Sequence, residues 1–267
     1  IEDEINTIIR FAQYYQCIIF TNLEEEAILK KYFGYFHKLD FSTCHIFLLN
    51  IYNDYDRNIL SLEDFKQILI YLESYFIRRW FADIPPNTLG KVFDNLYEEV
   101  KKNNPNDLVN GLHTVLSKYS GNKIWPEDDK FRKGIIEKVI YKKNDAPRVK
   151  FILERLEESS YQKEKVNTDN LTIEHIMPQS LTSEWKKDLG TNSNDVKRKW
   201  LNTLGNLTLT GDNSGLSNKP FEYKKKIYQE SKVYLNKYFQ NVDIWNENSI
   251  EKRAEYLADI AVKIWLR

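Results

Sequence analysis

Apolar residues recur at spacings near 3.6 through the first 160 positions of the chain. In SLEDFKQILIYLESYFIRRW the stripe runs Leu62, Phe65, Leu69, Leu72, Phe76 and Trp80, which predicts a helix opened by a capping box of Ser61 and Asp64. A second stripe, Ala27, Ile28, Tyr32 and Phe36, follows an expected cap at Thr21 and Glu24. Further helices are predicted near 41–53, 88–102, 106–119 and 147–158, and Asp83 to Asn87, with Pro85-Pro86, interrupts the array. A polar stretch at 157–170 reads as a linker, and beyond it the period shortens. LTIEHI (171–176) and LGNLTLT (204–210) are short, β-branched and bounded by turn residues, so both are strand candidates. Helical spacing then returns. Pro220 opens a predicted helix over 221–239, and Ile250, Ala254, Leu257, Ala261 and Ile264 stripe a last one. The pattern predicts a mainly α protein, with a helical domain over 1–160 and a second domain over 161–267 built as strand, long loop, strand and helices.

Composition narrows the class of protein. A chain of 267 residues that is 42% hydrophobic and 29% charged is an ordinary globular sequence, able to bury a core without disulfides. Its two cysteines, Cys17 and Cys44, form no C-x-x-C pair, which excludes a zinc ribbon and suits a reducing compartment. No apolar run is long enough to span a bilayer and no signal peptide is present, so no membrane partner and a cytoplasmic location are expected. The only methionine is Met177, so the chain reads as the C-terminal piece of something longer.

Lys and Arg total 39 against 39 Asp and Glu, so overall charge points to no partner. Its distribution is uneven. Residues 161–240 hold 13 basic against 9 acidic residues, a net of +4, and the basic ones cluster as Lys197-Arg198-Lys199 and Lys224-Lys225-Lys226. Such clusters suit contact with phosphates, where released counterions drive binding, and equally suit a solvated helix face.

Candidate chemistry centres on LTIEHIMPQS. Glu174 and His175 stand side by side at a strand end, and Pro178 forces the chain to turn. Hydrolysis of a phosphodiester needs a base to activate water, and neutral imidazole serves near pH 7. It also needs a cation to offset the developing charge, and a hard ion such as Mg²⁺ takes oxygen ligands. The chain offers those parts in order: Glu174-His175, then Asn206, then Asn213. Taken singly each has a plainer reading: a packed histidine, a Gly-Asn turn, a loop or cap asparagine, and for Lys224 a surface charge. His37, His45 and His113 lack companions at ligand spacing and read as structural, while Arg78-Arg79 suit the negative end of their helix.

The run IEHIMPQS, then Trp200, then LGNLTLTGDNSGLSNKPFEYKK resembles the C-terminal domain of GmrSD-type restriction endonucleases, a branch of the HNH or His-Me finger nucleases. EHIMPQS is also similar to a stretch in the HNH domain of the CRISPR effector nuclease. The likeness is tightest over residues 170–230, about a quarter of the chain. It implies a small ββα-metal finger embedded in the C-terminal helices. In that finger His175 is the general base, Glu174 and Asn213 hold one Mg²⁺ or Mn²⁺ ion, and Asn206 positions the loop and orients the histidine. Glu174 stands where the better-known motif has Asp, and Asn213 where many relatives have His. Lys224 is assigned to phosphate contact. Asn218, Lys197, Arg198, Lys199, Lys225 and Lys226 are assigned to the substrate, although Ser217 and Asn218 equally suit helix caps. No structural zinc is expected, since the cysteines to hold it are missing.

The resemblance implies a metal-dependent DNA endonuclease of a modification-dependent antiphage restriction system, with modified phage DNA as substrate. It also implies a partner region outside this chain, an N-terminal ParB-like nucleotide-dependent domain. Two other functions stay open on the residues alone: a non-cleaving DNA-binding or interdomain module, and an RNA-cleaving nuclease of the same finger.

Overall fold

The helical periodicity of the first half becomes helices at nearly the expected places. The computed structural model describes residues 1–142, 144–160 and 166–267. Its early helices are α1 (Glu2–Ile19), α2 (Ala27–Leu39), α3 (His45–Asp56), α4 (Leu62–Phe81), α5 (Leu89–Asn103) and α6 (Leu108–Lys118). The side chain of Ser61 caps α4 by accepting the Asp64 N–H at 3.1 Å. The cap expected at Thr21 and Glu24 is not made. Thr21–Leu23 form a 3₁₀ turn, and the Glu24 carboxylate instead accepts the Glu26 N–H and the Tyr52 hydroxyl, at 2.9 and 2.7 Å.

Helix α4 departs from its apolar stripe, because Glu73, Ser74, Arg78 and Arg79 are buried along with its apolar residues. Over residues 72–79 the helix is covered on every side, as a core element is, while Glu63 and Asp64 at its start stay exposed. The two arginines do more than complement a helix dipole. Arg78 donates to the Trp265 and Pro126 carbonyls and to Asp128, and Arg79 donates to the Ile124 and Pro85 carbonyls.

The chain divides into two compact units, residues 1–128 with 265–267, and residues 129–264. The sequence pattern places the division at 160/161, in a polar stretch of which residues 161–165 lie outside the described ones. Helix α8 (Ala146–Glu158), counted with the first domain by its period, sits in the second unit, where Glu157 accepts the Tyr234 and Leu235 N–H groups at 2.7 and 2.9 Å. An amphipathic stripe tells that a helix packs, not on which core.

The second unit opens with α7 (Asp128–Glu137), all but its first residue, and α8, and its only sheet among the described residues is β1 (Thr172–His175) paired antiparallel with β2 (Leu207–Thr210). The register sets Glu174 opposite Thr208 and His175 opposite Leu207. The connection between the strands is not a bare loop, for it carries α9 (Ser183–Leu189) and α10 (Ser193–Trp200). After β2 come α11 (Asn213–Leu216), α12 (Phe221–Glu230), α13 (Tyr234–Lys237) and α14 (Glu247–Ile264). The single helix expected over 221–239 is broken. At the break Ser231 Oγ accepts the Val233 N–H and the Asn236 amide, and Asn236 also bonds Leu209 and Thr208 of β2.

A core of Ile176, Met177, Trp185, Trp200, Phe221, Tyr228, Phe239, Trp245 and Ile250 lies around the strand ends. Helix α14 packs on the 204–206 turn so closely that a Cβ on Gly205 would stand 2.6 Å from the Ile250 carbonyl oxygen. Only glycine admits that approach. No helix among the described residues is long and apolar enough to cross a membrane.

Candidate active site

Strand β1 ends at His175 because the backbone turns away through Ile176 and Met177 toward Pro178. Asn206 holds that turn. Its amide oxygen accepts the Met177 N–H at 2.8 Å and the Trp245 indole N–H at 3.0 Å, and its nitrogen donates to the Met177 and Leu201 carbonyls, both at 3.0 Å. All four of its hydrogen-bonding positions are used inside the protein. Arg253 braces the same turn from α14, donating to the Gly205 and Leu207 carbonyls at 2.9 and 2.7 Å.

The turn borders an open pocket of about 320 Å³ lined mainly by polar residues, among them Glu174, His175, Gln179, Asn213, Ser217 and Asn218. Of the residues singled out in the sequence, Glu174, His175, Asn213 and Asn218 therefore meet in one place. His175 is buried but for its pocket edge. Its Nε2 lies 3.0 Å from Asn202 Oδ1, and the Tyr141 ring stands edge-on to it, with centroids 4.8 Å apart at 88°. Burial lowers the imidazole pKa below its usual 6.5; the Asn202 bond opposes that shift and the positive Lys224 adds to it.

Glu174 is buried and its Oε1 accepts from Lys224 Nζ at 2.5 Å; the same ammonium donates to the His175 carbonyl at 2.9 Å. Burial pushes the carboxyl up and the ammonium down, and their mutual attraction opposes both shifts. Asn213 opens α11 from the far side, its amide nitrogen donating to the Ile173 carbonyl at 3.1 Å. Ser217 ends that helix with φ at 34°, a region that side chains rarely adopt, and it too lines the pocket.

One expected role is not matched by position. Lys224, assigned to a phosphate, is wholly buried, since α12 turns it inward on the same stripe as Phe221 and Tyr228. Its ammonium faces Glu174 instead of solvent. Asn206 lies behind the pocket, where its amide holds the turn after His175 as a loop-positioning residue would.

The remaining basic residues line the outside. Arg198 pairs with Asp195 at 2.7 Å and Lys199 with Glu247 at 3.0 Å, while Lys225 and Lys226 face Asp243 and Glu222 at 3.5 and 3.8 Å. Lys197 shares α10 with the first two, half-buried. None of the five lines the pocket.

Asn202, Tyr141 and Gln179 also stand at the site without a marked signature in the sequence. Asn202 carried a weak signal, standing four residues before Asn206 in a turn. Tyr141 carried none, because its place at the site depends on residues 139–141 docking against 202–203.

Residues 125–260, just over half of the 267, match a family model described as GmrSD restriction endonucleases, C-terminal domain. Every pocket residue falls within that span. No curated protein matches the chain.

Proposed function

The chain belongs to the GmrSD restriction endonucleases through their C-terminal domain, and we propose that its pocket hydrolyses DNA phosphodiester bonds with the help of one divalent cation. The observation that carries this reading is the meeting of Glu174, His175 and Asn213 in one open polar pocket at the end of β1. In this reading β1, β2 and α11 act as the ββα-metal finger of an HNH nuclease.

The donors suit a hard cation. Lys224 occupies one oxygen of Glu174 and the Ile173 carbonyl occupies the amide nitrogen of Asn213, so the atoms left for a ligand are a carboxylate oxygen and an amide oxygen. Among the described residues no group of three or more His, Cys, Asp or Glu gathers into a metal cluster, so such an ion would rest on two protein oxygens and water. Mg²⁺ and Mn²⁺ accept that arrangement. When bound, the ion would offset negative charge on the phosphate and the departing oxygen.

The chain's own residues do the rest. His175, kept neutral by burial, accepts the proton of the attacking water. Lys224 fixes the carboxylate of Glu174, and Asn206 fixes the turn that follows His175. Asn218, exposed at the rim, offers a neutral donor to the strand. Arg198, Lys199, Lys225 and Lys226 exchange weak surface partners for backbone phosphates, and Lys197 joins them on α10; such exposed pairs are worth about 0–1 kcal/mol, so the exchange costs little. In a whole restriction protein this module would act with a ParB-like nucleotide-dependent domain on modified phage DNA.

The test is incubation of the purified chain with supercoiled plasmid and a matched RNA, in Mg²⁺ or Mn²⁺ and in EDTA. Nicked or linear plasmid in metal and intact plasmid in EDTA is the expected result. Cleavage of RNA alone would transfer the reading to an RNA nuclease, and no cleavage of either would overturn it.

A further inference from the structure

Asn202 is held more firmly than a turn residue needs to be. Its backbone carbonyl accepts two N–H groups, from Ile140 at 2.8 Å and Tyr141 at 3.1 Å. Its neighbours are fixed as well: the Leu201 carbonyl accepts from Asn206, and Thr203 bridges Val139 while its hydroxyl donates to the Trp200 carbonyl at 2.9 Å. From this anchored position the side chain reaches the imidazole, with Oδ1 3.0 Å from His175 Nε2. Tyr141, fixed through the same carbonyl, sets its ring at 88° to the imidazole and restricts how that ring can turn.

An amide oxygen only accepts hydrogen bonds, so the nitrogen facing it must carry the proton. In a neutral imidazole the other nitrogen then has the free lone pair. We infer that Asn202 is the positioning residue of the site, holding His175 as the Nε2–H tautomer so that Nδ1 is the atom that receives the proton of water. Resting on the nuclease reading above, this names the atom that does the work. It also assigns a catalytic purpose to residues 139–141, which reach the site through Asn202. Asn206 acts at one remove: it fixes the carbonyl of Leu201, immediately before Asn202, and both backbone groups of Met177, two residues after His175. The base and the group that orients it are thus secured to one amide.

The experiment labels histidine with ¹⁵N in the full chain. There are four histidines, so a spectrum of His175→Ala identifies the His175 signals, and they are read at mildly alkaline pH where the ring is neutral. The expected wild-type spectrum shows a protonated Nε2 and an unprotonated Nδ1. Asn202→Asp keeps an acceptor oxygen in place and should keep that tautomer and most of kcat. Asn202→Leu removes the acceptor at similar size; it should give a mixture of tautomers and lower kcat roughly ten- to a hundredfold with little change in KM, the range for removing a group that orients a ligand or base. A protonated Nδ1 in the wild type would overturn the inference, as would an unchanged tautomer and kcat in Asn202→Leu. Should the leucine variant fail to fold, the wild-type and Asn202→Asp spectra still decide. A wild-type chain that shows the Nε2–H ring yet cleaves no nucleic acid overturns the nuclease reading and upholds the orientation; one that cleaves with Nδ1 protonated does the reverse.

Discussion

In the unit of residues 1–128 with 265–267, the buried guanidinium groups of Arg78 and Arg79 face mainly backbone carbonyls. Those carbonyls belong to loop and terminal residues, Pro85, Ile124, Pro126 and Trp265, so the arginines tie segments of chain to α4. In the unit of residues 129–264 the buried Lys224 faces a carboxylate, Glu174, which itself borders an open pocket. Both arrangements bury positive charge. In the first the carboxylate paired with Arg78, Asp128, stands on the surface, whereas the second holds a buried acid at the edge of a site that a ligand can enter. Buried charge by itself is therefore no mark of function, and what distinguishes the second unit is a polar opening beside the pair.

That contrast can be broken experimentally. Lys224→Met should have the largest effect on stability. It strands a buried carboxylate, a loss of about 3–5 kcal/mol in denaturant unfolding, and it frees Glu174 to move, so cleavage should fall even in the folded fraction. A variant of wild-type stability and activity would show that the ion pair matters to neither. Arg79→Met should cost less, about 1–3 kcal/mol, for the carbonyls of Ile124 and Pro85 left without their donor. Its kcat per folded molecule should not change, and a drop in that quantity would mean that the first unit's buried charge also serves catalysis.

The smallest effect is a displacement in pH. Burial favours the neutral form of His175, so its folded pKa lies below 6.5 and the ring stays unprotonated until the pH falls past that lowered value. The acid limb of kcat/KM should accordingly lie below 6.5, and a limb above it would contradict the burial of the base. Stability has the same sign. Whatever the neutral buried ring contributes is present above the unfolded pKa and is lost as pH falls through the folded one.

Part of this site is legible in one dimension. Glu174, His175 and Asn213 stand out because a strand end, a turn and a helix start follow each other in chain order with the side chains that phosphodiester chemistry uses. The helices with a strong apolar period in the sequence, α4 and α14 above all, are legible for the same local reason, although the period does not reveal the buried Glu73, Arg78 and Arg79 of α4. Asn202 and Tyr141 are not, since their value comes from a tertiary return of residues 139–141 onto 202–203. Lys224 was hidden by its company. In a run of three lysines it reads as a solvated face, although its spacing from Phe221 and Tyr228 already put it on the buried stripe of α12. The break after Glu230 was masked by a helical period that continues through it, because a side-chain network of Ser231 and Asn236 outweighs local propensity there. The extent of the second unit was obscured because α8 looks like any helix of the first half.

The role of His175 as the base of a hydrolytic site is decided by single-turnover plasmid cleavage in Mg²⁺, comparing the wild-type chain with a His175→Ala variant shown by circular dichroism and thermal unfolding to be folded. Loss of a positioned general base should slow cleavage by about 10²–10⁴-fold while DNA binding persists. A folded variant that cuts at the wild-type rate would contradict the account.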